Sequence, residues 1–324
     1  MDFENISNRI SRKIRGMSTT IRIGTRDSEL ALWQATTVEK QLNDLGYKTQ
    51  IIAVKSDGDI VLDKPLYELG ITGIFTKTLD VAMIQGTIDI AVHSMKDVPT
   101  LLPNGIVQGA VLERASSLDI MVHKGNLDFL TQEKSTIATS SLRRKASWLH
   151  KYPTHTIEDI RGNVNTRLQK VATSDWSGAI FAEAGLERIN LKPDHFIALD
   201  WMVPAPAQGA MVVVCNADDL FSLDAVSQLN HIETEICTYI ERQFLRTLEG
   251  GCTAPIGAIA SYNEKEDVID FTGVLLSIDG KQKIEVKKVV EVSEWKKLGF
   301  SAAHEILTNG GATLMAEIKK QLEK

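Results

Sequence analysis

The stretch Ile21-Arg22-Ile23-Gly24-Thr25-Arg26-Asp27-Ser28 sets the architecture of this chain. Ile21 to Gly24 reads as a short strand, Thr25 to Ser28 as a turn, and Leu30 to Leu45 as a helix leading into a second strand, Thr49 to Val54. A helix over Phe75 to Gln85 and a strand over Ile88 to Val92 follow. This β-α-β order predicts parallel or mixed sheets with helices on both faces. A second α/β block begins near Ser116, with strands Asp119 to Val122, Ser135 to Thr139 and Ala179 to Ala182, and helices Leu142 to Lys151 and Gly185 to Ile189. After about His231 the pattern changes. A helix from Ile232 to Leu248 leads to Glu249-Gly250-Gly251-Cys252, and strands follow near Gly257 to Tyr262, Asp267 to Ser277 and Gln282 to Val292. Asp279-Gly280 signals a hairpin between the last two. One final helix is expected over Ala302 to Lys324.

Composition excludes several classes. The 324 residues are 43% hydrophobic and 24% charged, as expected for a soluble globular protein of two or three domains. A net charge of −6 does not favour nucleic-acid binding. No run of about 18 apolar residues is present, so no membrane helix is expected. Met1 to Thr20 is polar and does not resemble an export signal. The three cysteines have no CxxC spacing and no paired histidines nearby, so neither a metal site nor a disulfide framework is expected, and a reducing cytoplasm fits. Cys215 and Cys237 fall in apolar patterns and read as core. Cys252, after two glycines, reads as an exposed turn.

The sharpest local signal is a repeated placement of arginine at helix starts. Arg26 precedes the first helix, Arg143 and Arg144 follow the cap Ser141, and Arg161 and Arg167 flank the start of another helix. A cation is disfavoured in the first turn by the helix dipole, and such a broken rule often marks a functional site. The reason offered here is anion binding, which free N–H groups, dipole and guanidinium all favour. Thr139 to Lys170 holds seven cations against two carboxylates, in a chain that is acidic overall. A solvated basic face is the bland alternative. At the end of the Ile88 to Val92 strand stands His93-Ser94-Met95-Lys96-Asp97. Lys96 and Asp97 are open to two readings there, a surface ion pair or an anion holder beside a catalytic carboxylate. His93 reads as a satisfied structural histidine.

These segments together resemble the hydroxymethylbilane synthase family, also called porphobilinogen deaminases. The matching motifs are Arg22 to Ser28 through Leu32-Trp33-Gln34-Ala35, His93 to Pro99, Thr139 to Arg144, Arg161 to Leu168, Ala184-Gly185-Leu186 and Glu249 to Cys252. The resemblance implies stepwise head-to-tail condensation of four porphobilinogen molecules, with loss of ammonia, into the linear tetrapyrrole hydroxymethylbilane. It implies a dipyrromethane primer joined by thioether to Cys252. Asp97 would be catalytic, hydrogen bonding to pyrrole N–H and stabilising the azafulvene cation. Lys96, Thr139, Ser141, Arg143, Arg144, Arg167 and Arg188 would hold the cofactor. Arg26, Ser28, Phe75, Arg161, Arg167 and Arg188 would hold substrate, with no metal involved. A segment over 60–72 would cover the cleft.

The fold implied is two α/β domains like those of periplasmic binding proteins, with mixed sheets, plus a small C-terminal α+β domain. The expected partition is 19–114 with 210–230, then 115–209, then 231–324, behind an N-terminal extension 1–18. A cytoplasmic monomer is the accompanying expectation. Thr72, Pro206-Ala207 and Val214 depart from the family's usual residues, Pro206-Ala207 stiffening an expected hinge. A non-catalytic anion-binding module of the same two-domain kind is the alternative, and a cysteine hydrolase lacks a partnering histidine.

Overall fold

The computed structural model describes residues 20–54, 76–249 and 254–322. Cys252, Phe75 and the 60–72 segment, all named above, lie outside these, as does the extension 1–18.

Among the described residues, three sheets organise the chain. The first contains β1 (Thr20–Thr25), β2 (Lys48–Ala53), β3 (Ile90–Ser94), β4 (Ile106–Val111) and β10 (Met211–Asn216), in the order β2-β1-β3-β10-β4. β1 pairs in parallel with β2 and β3, whereas β10 runs antiparallel between β3 and β4. The second sheet contains β5 (Asp119–His123), β6 (Thr136–Ala138), β7 (Thr156–Glu158), β8 (Gly178–Ala182) and β9 (Phe196–Ala198), ordered β7-β6-β8-β5-β9. Here too three parallel strands are followed by one antiparallel strand, β5, and an edge. The expected mixed α/β sheets are therefore present, twice, with one shared topology.

Burial explains the strand composition. β3 and β10 read as near-continuous apolar runs because both faces of their sheet are covered. One face packs Ile23, Val38, Leu42 and Val213, the other Leu79, Met83, Ala91 and Val212. The helix α1 (Glu29–Asp44) buries Ala31, Ala35, Val38 and Leu42 on one stripe. Ser28 caps it by accepting the Ala31 N–H at 3.4 Å. Helices α2 (Lys77–Ile84) and α6 (Leu220–Ser227) complete this layer. In the second layer, α3 (Leu142–Lys151), α4 (Val164–Thr173) and the short α5 (Glu183–Glu187) cover the sheet.

The last sheet is the antiparallel meander β11 (Ile256–Asn263), β12 (Val268–Leu276) and β13 (Lys283–Glu291). It packs on α7 (Ile232–Thr247) and α8 (Trp295–Ile306) through Phe244, Phe271, Leu275 and Ala302. The Asp279-Gly280 turn forms as expected, with Ser277 N–H donating to the Gln282 carbonyl at 3.0 Å. The C-terminal helix is a correction. α8 and α9 (Ala312–Leu322) are separate, joined by a wide turn in which Asn309 leaves helical geometry and Gly310 takes φ 98°. The Asn309-Gly310-Gly311 breaker outweighed the apolar periodicity on either side. No helix among the described residues is long and apolar enough to cross a membrane.

Candidate active site

The chemistry-bearing segments gather at strand ends. β1 delivers Arg26 and Ser28, β3 delivers His93 and the turn Met95–Asp97, and β6 delivers Thr139 to Arg144. An open pocket is lined by Arg26, Ser28, Gln34, Thr76, His93 and Asp97. Gln34 Nε2 donates to Ser94 Oγ at 2.9 Å, tying α1 to the end of β3. Thr139 is buried beside Ser141, which caps α3, and both border a second, smaller pocket with Lys145 and Asp159. Asn163 caps α4, accepting the Thr166 N–H at 2.9 Å.

The arginines predicted as one anion-binding set divide by their surroundings. Arg144 is buried, and its Nε and Nη2 both donate to Asp119 Oδ1, at 2.9 and 2.7 Å, while Nη1 donates to the Ile180 carbonyl. Arg143 is buried with Nη1 2.7 Å from Asp119 Oδ2 and 3.0 Å from the Val203 carbonyl. Asp119 is fully buried. Burial alone would raise its pKa, but the charges of Arg143 and Arg144 dominate and hold it well below the carboxylate range. Arg188 donates to the Gly209 carbonyl at 2.7 Å and lies over the Trp33 ring, 5.7 Å from its centroid.

Arg167 differs from these. No carboxylate lies within ion-pair distance of its guanidinium among the described residues; the guanidinium is 5.4 Å from the centre of the Phe181 ring, and its Nε, like that of Arg143, is buried without a hydrogen-bond partner among the described residues. Burial, reinforced by Arg144 and opposed by Asp97, lowers its pKa to about 10. That cation is short of an acceptor, as a site for a carboxylate ligand requires. Arg161 is half-buried and lowered by burial, against the pull of Asp159.

Lys96 is half-buried, and its Nζ donates to Gln208 Oε1 at 3.1 Å. Burial and the nearby Arg144 bring its pKa down to about 8, against Asp97 and Asp119. Asp97 is exposed on the turn, while Lys96 reaches inward to Gln208. His93 corrects its expectation in part. It is buried, but its Nε2 has no hydrogen-bond partner among the described residues, and burial together with Arg26 lowers its pKa to about 4, which keeps the ring neutral.

Sequence reasoning missed Asp119, Gln208, Arg114 and Glu241, which carry the interior wiring. Gln208 Nε2 donates to Asp119 Oδ1 at 3.0 Å, linking Lys96 on one sheet to the paired arginines on the other. Fully buried Glu241 accepts from Arg114 Nη1 at 2.6 Å, from the Ala207 N–H at 2.6 Å and from the Ala260 N–H at 2.8 Å. A readable signal existed for Glu241: it interrupts the apolar stripe Cys237, Ile240, Phe244 and Leu248. Ala207 itself has φ 61°, a left-handed conformation that costs a residue with Cβ roughly 1–2 kcal/mol. Gly209 beside it has φ 87°, and a Cβ there would meet the Ala115 and Ser116 carbonyls at 2.6 Å. Cys215 and Cys237 are buried free thiols, each raised to about 11 chiefly by burial, in line with a core role.

Fold and site together define a protein with two α/β layers of one topology and a cation-rich site at their strand ends. The chain matches the family model "Porphobilinogen deaminase, dipyromethane cofactor binding domain" over residues 21–223 and "Porphobilinogen deaminase, C-terminal domain" over 235–308. It is 42% identical to a probable porphobilinogen deaminase of Methanocaldococcus jannaschii over 291 residues, covering 86% of this chain and 98% of that one. It is 38% identical to the porphobilinogen deaminase of Chlorobium phaeobacteroides over 316 residues (94% and 99%). Among solved structures it is similar to the methionine binding protein MetQ, with 14% identity, TM-score 0.44, and 66% and 90% of the chains covered. The chain belongs to the porphobilinogen deaminase family, and it carries that family's dipyrromethane cofactor-binding domain.

Proposed function

We propose that this chain is a hydroxymethylbilane synthase, condensing four porphobilinogen molecules head to tail on a covalently held dipyrromethane and releasing ammonia at each step. Family membership supports the reaction. The observation that carries the site reading is the cation excess near Asp97: Lys96 adjoins it on one turn, the charges of Asp97 and Arg144 both act on Lys96 and on Arg167, and Arg143 and Arg144 share Asp119 as the buried internal carboxylate. A chain of pyrroles bearing acetate and propionate groups would supply the carboxylates that this set lacks.

The dipyrromethane supplies a terminal pyrrole carbon able to attack, and Cys252 is the proposed anchor. Arg167, whose Nε lacks an acceptor among the described residues, fits a carboxylate of that group. Lys96, Thr139, Ser141, Arg143, Arg144 and Arg188 would complete its holding site. Arg26, Ser28, Arg161, Arg167, Arg188 and Phe75 are proposed to hold the incoming monomer. Asp97, exposed at the pocket rim, would accept the pyrrole N–H and offset the positive charge left as the amine departs. His93, kept neutral by burial, adds no competing charge.

The proposed domains are 19–114 with 210–230, 115–209, and 231–324. The insertion of β10 beside β3 supports the first, discontinuous one. We further propose a cytoplasmic monomer without nucleic-acid or membrane partners, in keeping with the acidic charge and the free thiols. Sedimentation of the purified protein checks the monomer.

Intact mass is the decisive experiment. The purified protein should exceed its sequence mass by one dipyrromethane, and Cys252→Ala should abolish the excess. An unmodified mass with no tetrapyrrole formed from porphobilinogen would sink this reading.

A further inference from the structure

β3 ends in a single 3₁₀ turn, Met95–Asp97, that carries both Lys96 and Asp97. So short a turn satisfies little of its own backbone. Val98 N–H donates to the Met95 carbonyl at 3.2 Å, and Pro99 has no N–H to continue the pattern. The carbonyls left over are met from another sheet's helix. Arg242, on α7, donates through Nη1 to the Val98 carbonyl at 2.9 Å and the Met95 carbonyl at 3.3 Å, and through Nη2 to the Pro99 carbonyl at 2.6 Å. A planar guanidinium holds several acceptors at fixed angles, which a lysine's single nitrogen does not.

We propose that Arg242 is a positioning residue that fixes the Lys96–Asp97 turn from α7; this rests on the reading of Asp97 as catalytic. The opposite side of the turn is held by Met95 N–H on the Ala210 carbonyl (3.0 Å) and by Lys96 on Gln208. The preceding residue on α7, Glu241, keeps the helix itself in place through Arg114, Ala207 and Ala260. Successive helical residues point about 100° apart, so one turn of α7 grips the 207–209 segment with Glu241 and the catalytic turn with Arg242. Removing the guanidinium frees the Val98 and Pro99 carbonyls, takes one of two donors from the Met95 carbonyl and lets Asp97 drift, and a displacement of about 1 Å at a reacting group costs on the order of 10²-fold in rate.

The test uses cofactor-loaded protein, with loading read by intact mass, and compares Arg242→Ala, Arg242→Lys, Gln108→Ala and Asp97→Ala. Gln108 also bonds to α7, through Glu235 at 3.3 Å, but away from the turn. We expect Arg242→Ala to keep its cofactor and lose about 10- to 100-fold in kcat with KM within about twofold. Arg242→Lys should regain part of the loss, and Gln108→Ala should match wild type. The inference is overturned by wild-type kcat in Arg242→Ala, by loss of its cofactor, or by an equal fall in Gln108→Ala. If Arg242→Ala does not fold, Arg242→Lys and Arg242→Gln decide it: graded kcat at constant KM supports the proposal, and wild-type kcat in both defeats it. Wild-type turnover in Asp97→Ala would remove the catalytic reading itself, whereas a dead Asp97→Ala beside a normal Arg242→Ala would remove only the positioning role.

Discussion

Arg144 and Arg167 belong to one basic cluster and have opposite surroundings. Arg144 spends three donors on Asp119 and the Ile180 carbonyl, all within the protein. Arg167 has a buried Nε with no acceptor among the described residues and an aromatic ring beside it. A guanidinium with a buried internal partner is part of the framework first, whatever else it touches. One left short of acceptors is built for something that arrives. Charge counting along the sequence cannot separate the two, because both arginines contribute +1 to the same patch.

Asp119→Asn should break that comparison most severely. It leaves Arg143 and Arg144 buried without their carboxylate, a loss of roughly 3–5 kcal/mol, seen as a large fall in Tm. An unchanged Tm would show that Arg144 is not framework. Next, Arg167→Gln should cost roughly 1.5–3 kcal/mol of binding to the pyrrole carboxylates, raising KM while Tm stays close to wild type. A fall in Tm matching that of Asp119→Asn would erase the distinction between the two arginines.

Lys96 sharpens the comparison through pH. Its pKa is lowered in the folded state, from the ordinary lysine value to about 8, mainly by burial. Between about 8 and the unfolded value the unfolded chain binds more protons, so this group's contribution to stability grows as pH rises through that window. Anion binding moves the other way, weakening above about 8 as Nζ loses its charge. Lys96→Gln should flatten both slopes in a pH series of Tm and KM. The smallest effect expected is from Ala207→Gly. Relief of the left-handed strain, less the added freedom of the unfolded chain, should raise stability by about 0.5–1 kcal/mol, measured by denaturant titration.

Much of the molecule was legible in advance. Ile21 to Val54 and Asp119 to Ala182 carry the strand and helix periodicities that became the two mixed sheets, and apolar strands of that density have to be covered on both faces. Ser141 announced the start of α3 through its hydroxyl, a purely local matter. The C-terminal helix reads as unbroken because apolar periodicity continues on both sides of Asn309-Gly310-Gly311, although that run is itself a breaker in the sequence and outweighs the periodicity.

The sequence by itself determined the class of elements, the helix starts that carry arginine, and the motifs that mark the family. Those are properties of neighbours within a few positions, where periodicity and capping act. Tertiary structure alone decided which arginines are internally paired, that Gln208 joins Lys96 to Asp119, and that Glu241 and Arg242 tie α7 to the 207–209 segment and to the turn bearing Asp97. Those pairings join residues as much as 147 positions apart. Each depends on which buried polar group finds its partner once water is excluded, and the order of residues along the chain does not record that.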